Sequence, residues 1–270
     1  STADGNGDVD IRQITGGIPF GGAGYKDVIT DITDHATHDV GVEIIVDASE
    51  EPTPGHSTLL LIHSNTSDAS TTFVDSSQSG RTPTVVGNTQ HDTAQKKFGT
   101  TSIYFDGTGD HLTFPDSDEW RFNNTGPFTI DFWMRTASTA KQHLVRKGID
   151  GAWSVIEYGL FINNNANKMT FQLSNNGGTG TTLTSTTSVN DSAWHHIACT
   201  RIGNKFELYI DGASEANASQ AITIKDGSTT LSIGGESDAT NMYTGWLDEV
   251  RISRVARWNA NFTPPSAPYP

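Results

Sequence analysis

The sequence predicts an all-β protein, folded as a sandwich of two antiparallel sheets. Three observations carry this prediction: short runs in which apolar and polar residues alternate, turn signals between these runs, and the absence of long runs with helical periodicity. Alternation with a period of two is typical of a strand with one buried face. Glycine-containing turns at intervals of roughly 8–12 residues favour a sandwich over a helical or α/β fold.

The bulk properties of the chain narrow the classes of function. Its 270 residues suit one large sandwich with an appendage, and its formal net charge is −14. A chain this acidic repels phosphate backbones, so no nucleic-acid partner is expected. No run of about 18 apolar residues occurs, so no membrane insertion is expected. The first residues have neither a basic region nor an apolar core, so no signal peptide is expected.

Residues 1–56 differ in composition from the rest and predict an N-terminal arm or a small β subdomain. The stretch Gly16–Gly24 is rich in glycine, so ordering it costs conformational entropy and requires a partner or a tight loop. The prolines and glutamates of Ser49–Gly55 are typical of a linker. We therefore expect residues 1–56 to dock the chain on a larger assembly and residues 57–270 to form the sandwich.

The strands of the sandwich follow from the alternation. The apolar run Leu59–His63 predicts a buried strand, and residues 64–100, which contain few core residues, predict long loops and edge strands. In the run FTIDFWMR, the residues predicted to share the core face are Phe128, Ile130, Phe132 and Met134. In the last strand, the residues predicted to share one face are Trp246, Asp248, Val250 and Ile252. The proline-rich end predicts an extended surface segment anchored by Phe262 and Tyr269.

Six short motifs occur in order along residues 57–270. They are FDG at 105–107, FTIDFW at 128–133, WHHIA at 194–198, LYIDG at 208–212, LSIGG at 231–235 and GWLDEVRI at 245–252. Together they resemble the laminin-G-like (concanavalin A-like) jelly-roll domain, in the variant found on virion proteins of tailed bacteriophages. The ending RVARWNANFTPPSAPY resembles the end of many tail-fibre and other virion proteins. The resemblance implies a two-sheet jelly roll, with the strands that hold Trp133 and Trp194 in its core, and a virion context.

A turn and the last strand together predict a structural calcium site. Asp106 and Asp110 place two carboxylates and flexible carbonyls in one turn, and Asp248 offers a third carboxylate. Hard oxygen ligands of this kind suit Ca²⁺, which takes six to eight of them. Proteins of the family that this sequence resembles often hold a calcium ion near such a turn. The alternative is that the turn only closes a hairpin, with Asp106 accepting hydrogen bonds from its own backbone.

Catalytic motifs do not emerge from the sequence. His195 and His196 are adjacent on a predicted strand, so they point to opposite faces and do not chelate one ion together. Some enzymes with the fold that this sequence resembles carry a Glu-x-Asp-x-x-Glu motif on one strand. This motif does not occur in the sequence. We therefore expect no enzyme and keep glycoside hydrolysis as a minor alternative. The single cysteine, Cys199, lies in a strand-like run and is predicted to be a buried thiol.

Ligand recognition is predicted in loops at residues 150–180 and 236–243 rather than in strands. A carbohydrate site usually sets an aromatic face beside hydrogen-bonding groups. The tryptophans expected in the core are Trp133, Trp194 and Trp246. The loop residues predicted to contact a ligand are Trp153, Tyr158, Asn176 and Tyr243. The alternative is that these aromatics cap the sandwich or pack at a subunit contact.

These expectations combine into one function. We expect a structural protein of the phage virion surface, made in the host cytoplasm and docked on other virion proteins by residues 1–56. Its jelly roll would bind cell-surface glycans weakly, and multiple copies would supply avidity. By family analogy, a homo-oligomer such as a trimer is expected. The alternative is a capsid decoration or cement protein with no glycan ligand.

Overall fold

The structure, a computed structural model, describes most of residues 57–270. The described ranges are 57–122, 126–152, 154–163 and 166–270. The predicted N-terminal arm therefore lies outside the described residues. Within them the chain forms two sheets of eight and seven strands, with a short 3₁₀ helix. The predicted all-β sandwich is confirmed.

The strands are short and all their described pairings are antiparallel. In chain order they are β1 (Thr58–Ile62), β2 (Thr84–Val86), β3 (Gln90–Asp92), β4 (Ser102–Asp106), β5 (His111–Phe114), β6 (Phe128–Arg135), β7 (Gln142–Gly148), β8 (Ile156–Ile162), β9 (Lys168–Asn175), β10 (Thr179–Ser188), β11 (His195–Ile202), β12 (Lys205–Ile210), β13 (Ala213–Ser219), β14 (Leu231–Ile233) and β15 (Thr244–Ser253). The 3₁₀ helix, Asp118–Arg121, lies between β5 and β6.

The two sheets have different strand orders. The eight-stranded sheet runs β13-β12-β11-β6-β15-β4-β3, and β1 also pairs with β15. The seven-stranded sheet runs β10-β9-β8-β7-β14-β5-β2. Chain-distant strands are therefore neighbours in both sheets, as in a jelly roll. Residues 64–100 contain only the short edge strands β2 and β3, which confirms the prediction of loops and edges.

The core lies between the sheets and follows the predicted alternation. The four residues predicted on the core face of β6 all belong to the large buried cluster: Phe128, Ile130, Phe132 and Met134. Burying one such side chain contributes about 1.5–3 kcal/mol. Cys199 is buried in the same cluster, and burial raises the pKa of its thiol. The predicted buried cysteine is confirmed.

The predicted pattern of β15 is wrong at one point. Glu249 has a φ of 52°, and the pairing of β15 with β6 shifts register between Asp248 and Arg251. This irregularity adds a residue to the alternation, as a β-bulge does. The residues of β15 that reach the core are Leu247, Val250 and Ile252. Trp246 therefore does not share a face with the last two, and its indole N–H donates to Asp92 Oδ2 at 2.9 Å.

The tryptophans expected in the main core lie elsewhere. Trp133 is buried in a small separate cluster with Leu61 and Tyr269, and Trp194 packs against that cluster. Trp133 alternates with the core residues of β6, so it lies on the outer face of the eight-stranded sheet. The resemblance places the strands correctly in the sandwich, but these indoles pack outside its main core.

The C-terminal tail packs on this outer face. Trp258 and Phe262 stack with ring centroids 4.0 Å apart. Tyr269 is buried, and its hydroxyl lies 3.0 Å from His196 Nε2. The Tyr269 N–H donates to Glu249 Oε2 at 2.7 Å. These contacts anchor a segment that has no strand partner of its own. No helix among the described residues is long and apolar enough to span a membrane.

Candidate functional site

Several connections meet at one end of the seven-stranded sheet and border an open pocket. They are the β5–β6 connection, the β7–β8 connection and the segment before β14. The cavity volume is about 570 Å³, within the range of roughly 300–1,000 Å³ that is usual for small-ligand sites. Its lining residues are Asp116, Asp118, Ile149, Ser154, Val155, Lys225, Asp226, Gly227, Ser228 and Thr229. We call this cavity the loop pocket.

A buried lysine ties the walls of the loop pocket together. The Lys147 side chain on β7 is fully buried. Its ammonium donates to Asp116 Oδ1 at 2.6 Å, to Glu157 Oε1 at 3.2 Å and to the carbonyls of Gly227 and Thr229 at 3.3 and 3.0 Å. A buried ammonium is stable only when oxygen atoms replace its water. Lys147 therefore holds the β5–β6 connection and the segment before β14 against β7 and β8.

The end of β7 is shaped by a glycine. Gly148 has a φ of +93°, and a Cβ there would lie 2.4 Å from the carbonyl oxygen of Val155. The Gly148 N–H donates to Thr229 Oγ1 at 2.8 Å, and that hydroxyl donates to Glu157 Oε1 at 2.8 Å. Only glycine adopts this backbone without strain at so close an approach. The β7–β8 connection is thereby positioned beside the segment before β14.

The rim of the loop pocket carries both signs of charge. Arg121 Nη1 lies 3.1 Å from Asp226, and its Nη2 lies 3.1 Å from Asp118. Lys225 adds a further cation. When Lys147 and its partner Glu157 are included, the site holds nearly equal numbers of acidic and basic side chains, with slightly more acids than bases. Such a lining suits a ligand rich in hydroxyl groups rather than a strongly charged one.

One predicted ligand residue lies next to the loop pocket. Asn176 is in the β9–β10 turn with a φ of 48°, and its N–H donates to the Thr223 carbonyl at 2.8 Å. The adjacent Gly177 lies against the side chain of Lys225, since a Cβ there would be 3.4 Å from it. This turn therefore borders the pocket. Trp153 lies outside the described residues, so its role stays a prediction.

Two other predicted ligand residues have their side chains in the core. Tyr158 is in β8, and Tyr243 directly precedes β15; both are fully buried. Tyr158 packs 5.3 Å from the Phe122 ring, and the Tyr243 hydroxyl donates to the Arg135 carbonyl at 2.9 Å. Burial raises the pKa of both phenols. The prediction of exposed loop aromatics is wrong here: alternation in β8 turns the Tyr158 side chain into the core, and Tyr243 packs into the core from the connection between β14 and β15.

The turn predicted to bind calcium is closed by its own hydrogen bonds. Asp110 accepts from the N–H of Asp106 at 3.0 Å and of Asn88 at 2.7 Å. Asp106 accepts from the Thr108 N–H at 2.6 Å and from the Asn88 amide at 3.0 Å. The hairpin alternative of the sequence analysis describes these contacts. Both carboxylates are used to hold the backbone.

Asp248 does not join the other two predicted calcium ligands. Thr244 is the residue of β15 that pairs with Asp106. Asp248 is four residues further along the strand, which is roughly 13 Å. Its carboxylate accepts instead from the N–H groups of Lys97 at 2.9 Å and Phe98 at 3.1 Å. Burial raises the pKa of Asp248 to about 7. The predicted three-carboxylate site is therefore not assembled.

A second polar cluster lies on the outer side of the seven-stranded sheet. It consists of His143 and Arg146 from β7, Asp150 from the β7–β8 connection and Glu236 after β14. His143, Arg146 and Glu236 are fully buried. A Cβ on Gly159 would lie 2.5 Å from the Arg146 side chain, so glycine on β8 leaves room for the guanidinium. We call this group the β7 cluster.

Sequence reasoning missed Lys147, Arg121 and the β7 cluster. Their partners are distant in the chain: Lys147 and Thr229, for example, meet only because β7 pairs with β14. A weak signal exists in the strand Gln142–Gly148, which contains three basic side chains yet is buried throughout. Basic residues inside a buried strand require partners, but sequence alone does not name them.

Comparison with known proteins identifies the fold family. The Laminin_G_3 family, described as the concanavalin A-like lectin/glucanases superfamily, matches residues 106–260. The fold is similar to the binding domain of Paraclostridial Mosquitocidal Protein 1, with a TM-score of 0.60 and 14% identity over 75% of this chain and 50% of that chain. It is also similar to the botulinum neurotoxin serotype D binding domain, with a TM-score of 0.57 and 15% identity over 74% of this chain and 49% of that chain.

A further structure of this kind was solved with a ligand. The binding domain of botulinum neurotoxin DC in complex with SialylT has a TM-score of 0.55 and 15% identity over 74% of this chain and 48% of that chain. At such identities the likeness concerns the fold alone, and this chain spans about half the length of those proteins. The family match, in contrast, extends over more than half of this chain. The chain thus belongs to the concanavalin A-like lectin/glucanase superfamily.

Proposed function

We propose that this protein is a virion-surface adhesion module that binds neutral carbohydrate in the loop pocket. The observation that carries the proposal is the pocket itself, a cavity of about 570 Å³ formed by loops in a lectin-family sandwich. Ile149 and Val155 offer apolar surface, while Ser154, Ser228 and Thr229 offer hydroxyl groups. A sugar requires this combination, because its ring carbons are apolar and its hydroxyls donate and accept.

Charge favours a neutral glycan over a sialylated one. Asp116, Asp118 and Asp226 line the loop pocket with a single unburied lysine, Lys225. The whole chain carries a formal net charge of −14, which repels anions at long range. An anionic sugar would therefore gain little from Lys225 and would be opposed by the field of the protein. In this respect the proposed ligand differs from the SialylT bound by the botulinum neurotoxin DC domain.

Binding is favoured over hydrolysis by the pairing of the acids. A glycosidase needs a carboxyl group free to hold and release a proton beside a second carboxylate. At the loop pocket Asp116 contacts the Lys147 ammonium, and Asp118 and Asp226 contact the Arg121 guanidinium. These acids neutralise cations and hold loops in place. The arrangement supports a binding site.

The virion context rests on the sequence resemblance. The ordered motifs and the ending RVARWNANFTPPSAPY resemble those of phage virion proteins. We propose that residues 1–56 dock the chain on other virion proteins and that a homo-oligomer displays several loop pockets. Linked weak sites bind a glycan-covered surface with an avidity far above the single-site affinity.

A glycan array tests the proposed ligand. The full chain, displayed at high density on beads, is expected to bind neutral glycans and to bind their sialylated counterparts more weakly. Replacing the exposed Ser228 by tryptophan fills the loop pocket and is expected to reduce binding at least about tenfold, or about 1.4 kcal/mol. The same substitution at Ser237, an exposed serine in the loop after β14, is the matched control.

Two outcomes would contradict the proposal. Lack of binding at high bead density would remove the adhesion function and favour the decoration alternative. Loss of binding in Ser237→Trp with retention in Ser228→Trp would place the site in the other loop. Thermal melting of both variants shows whether the sandwich remains folded.

A further inference from the structure

The β7 cluster brings three metal-ligating side chains together. One nitrogen of His143 and one carboxylate oxygen each of Asp150 and Glu236 lie within 4.8 Å of one another. His143 Nε2 is 3.4 Å from Glu236 Oε1. Two atoms bound to the same tetrahedral ion at about 2.0–2.2 Å are separated by roughly 3.3–3.6 Å. His143 and Glu236 thus already have the spacing of two metal ligands.

Two of these three side chains have buried polar atoms with no hydrogen-bond partner. Both ring nitrogens of His143 are buried without one, and so is Glu236 Oε1. The exposed fractions of these two side chains are 0% and 1%. Buried polar atoms in folded proteins are almost always paired with protein, water or an ion. The His143 ring is aligned by stacking on Phe161 at 4.9 Å, which does not satisfy its nitrogens.

We propose that His143, Asp150 and Glu236 form a binding site for a divalent transition-metal ion of the zinc class. One imidazole nitrogen and two carboxylate oxygens suit Zn²⁺ and related ions, whereas Ca²⁺ and Mg²⁺ take oxygen ligands only. The fourth position is filled by water, since Asp150 is on the solvent side with 34% of its side chain exposed. This proposal is independent of the proposed carbohydrate function.

The charges around the site are compatible with a cation. Arg146 is held in part by the Ile149 carbonyl, to which its Nη2 donates at 2.8 Å. The guanidinium also lies 3.6 Å from Glu236 and 4.0 Å from Asp150, so it balances part of the negative charge of the two carboxylates. Lys141 pairs with Asp150, and both side chains are partly exposed. Exposed pairs of this kind contribute little, so the lysine is free to move into water when a metal ion binds. Burial also lowers the pKa of His143 to about 3, which keeps the ring in the neutral form that binds metals.

The site would connect three parts of the seven-stranded sheet. His143 is near the start of β7, Glu236 follows β14, and Asp150 lies in the β7–β8 connection, next to the pocket residue Ile149. A bound ion would therefore fix one wall of the loop pocket. It would also stabilise the folded state by mass action, because the three ligands converge only after folding.

Calorimetric titration with Zn²⁺ alone tests the site on the full chain after removal of metals with a chelator. The wild-type protein is expected to bind one Zn²⁺ ion more than His143→Gln and Glu236→Gln, in which affinity at this site falls at least about tenfold. Zn²⁺ is expected to raise the melting temperature of the wild-type protein and not of these variants. Competing histidines in residues 1–56, such as His35 and His38, would act equally in all chains.

His195→Gln is the matched control. His195 also lies between two carboxylates, at 2.7 Å from Asp211 and 3.0 Å from Asp191, but these contacts satisfy both of its ring nitrogens. This variant is expected to bind Zn²⁺ as the wild type does. Loss of Zn²⁺ binding in His195→Gln together with its retention in His143→Gln overturns the proposal, and so does equal binding in all chains or none in the wild type.

A second readout requires no variant to fold. Nuclear magnetic resonance of the histidine ring nitrogens in the wild-type chain is expected to show a large shift of the His143 signals when Zn²⁺ is added. Shifts confined to other histidines overturn the proposal.

Discussion

At the residue scale, buried charges in this sandwich are paired across strands. Asp131 on β6 accepts from Arg251 on β15 at 3.1 and 3.0 Å. Burial by itself raises the pKa of Asp131, but Arg251 reverses this effect and holds the pKa well below its usual range. Such a pair is retained because removal of one partner leaves the other charge buried. The Tyr269 ring, 3.8 Å from the Arg251 guanidinium, covers the pair on the tail side.

Replacing His195 by glutamine is expected to make stability less dependent on pH. The hydrogen bond with Asp211 raises the pKa of His195, burial opposes this, and Asp191 adds to it. A histidine whose pKa is higher in the folded protein than in the unfolded chain stabilises the fold when it is protonated. This contribution is complete below the pKa of the unfolded chain, about 6.5, and is lost as the pH rises through the pKa of the folded protein. The melting temperature of His195→Gln should thus fall further below wild type at pH 6 than at pH 9.

A matched histidine variant gives the control for this prediction. The His111 ring faces the Gly109 carbonyl at 3.0 Å rather than a carboxylate. His111→Gln therefore shows how far the substitution of a histidine without a carboxylate partner changes the melting temperature at each pH. If the melting temperatures of His195→Gln and wild type differ by the same amount at pH 6 and pH 9, the pairing of His195 with Asp211 and Asp191 is contradicted.

At the element scale, the C-terminal tail is a segment held without strand pairing. It is held where Phe262 N–H donates to the Gly212 carbonyl at 2.9 Å in the β12–β13 turn. Gly212 has a φ of +78°, and a Cβ there would lie 1.9 Å from the Phe262 carbonyl oxygen. The turn therefore serves both the hairpin and the docking of the tail.

Replacing Gly212 by alanine is expected to detach the tail. The new methyl group collides with backbone, so Trp258 and Phe262 leave their stacked position. Gly203→Ala is the control, because Gly203 also has a positive φ of +55° but has nothing within 4 Å of the Cβ position. The control should lose about 1 kcal/mol from backbone strain, and Gly212→Ala should lose clearly more. Urea unfolding and limited proteolysis of the tail measure both effects, and equal losses would refute the docking role.

At the scale of the whole molecule, residues 57–270 hold a complete two-sheet core. The large buried cluster draws on both sheets, and the tail closes the outer face of one of them. The loop pocket and the β7 cluster both lie on the seven-stranded sheet. The two proposed ligand sites are thereby on one sheet and the docked tail is on the other.

Removing residues 1–56 is expected to leave the sandwich intact. The melting temperature of the 57–270 chain should stay within about 3 °C of the full chain, because the core is contained in these residues. The 57–270 chain displayed on beads should still bind glycans, whereas its incorporation into virus particles should be lost. Unchanged incorporation without residues 1–56 would contradict the docking proposal.

Removing residues 258–270 instead should lower the melting temperature, since it deletes the anchors Trp258, Phe262 and Tyr269.

Much of the fold was predictable, and little of the site was. The alternation Phe128, Ile130, Phe132 predicts the core face of β6, because strand geometry is local. The same rule fails after Asp248, because a bulge is set by the pairing with β6 rather than by local composition. Of the predicted ligand residues, Asn176 borders the loop pocket, whereas Tyr158 and Tyr243 are in the core.

The sequence by itself determined the fold class, the buried cysteine and the anchored tail. These depend on the period of the hydrophobic pattern and on proline, which act over a few residues. Only the tertiary structure decided which polar groups meet: Lys147 with the Thr229 carbonyl, and His143 with Glu236. In a jelly roll the neighbouring strands are distant in the chain, so these contacts exist only after the sheets have paired.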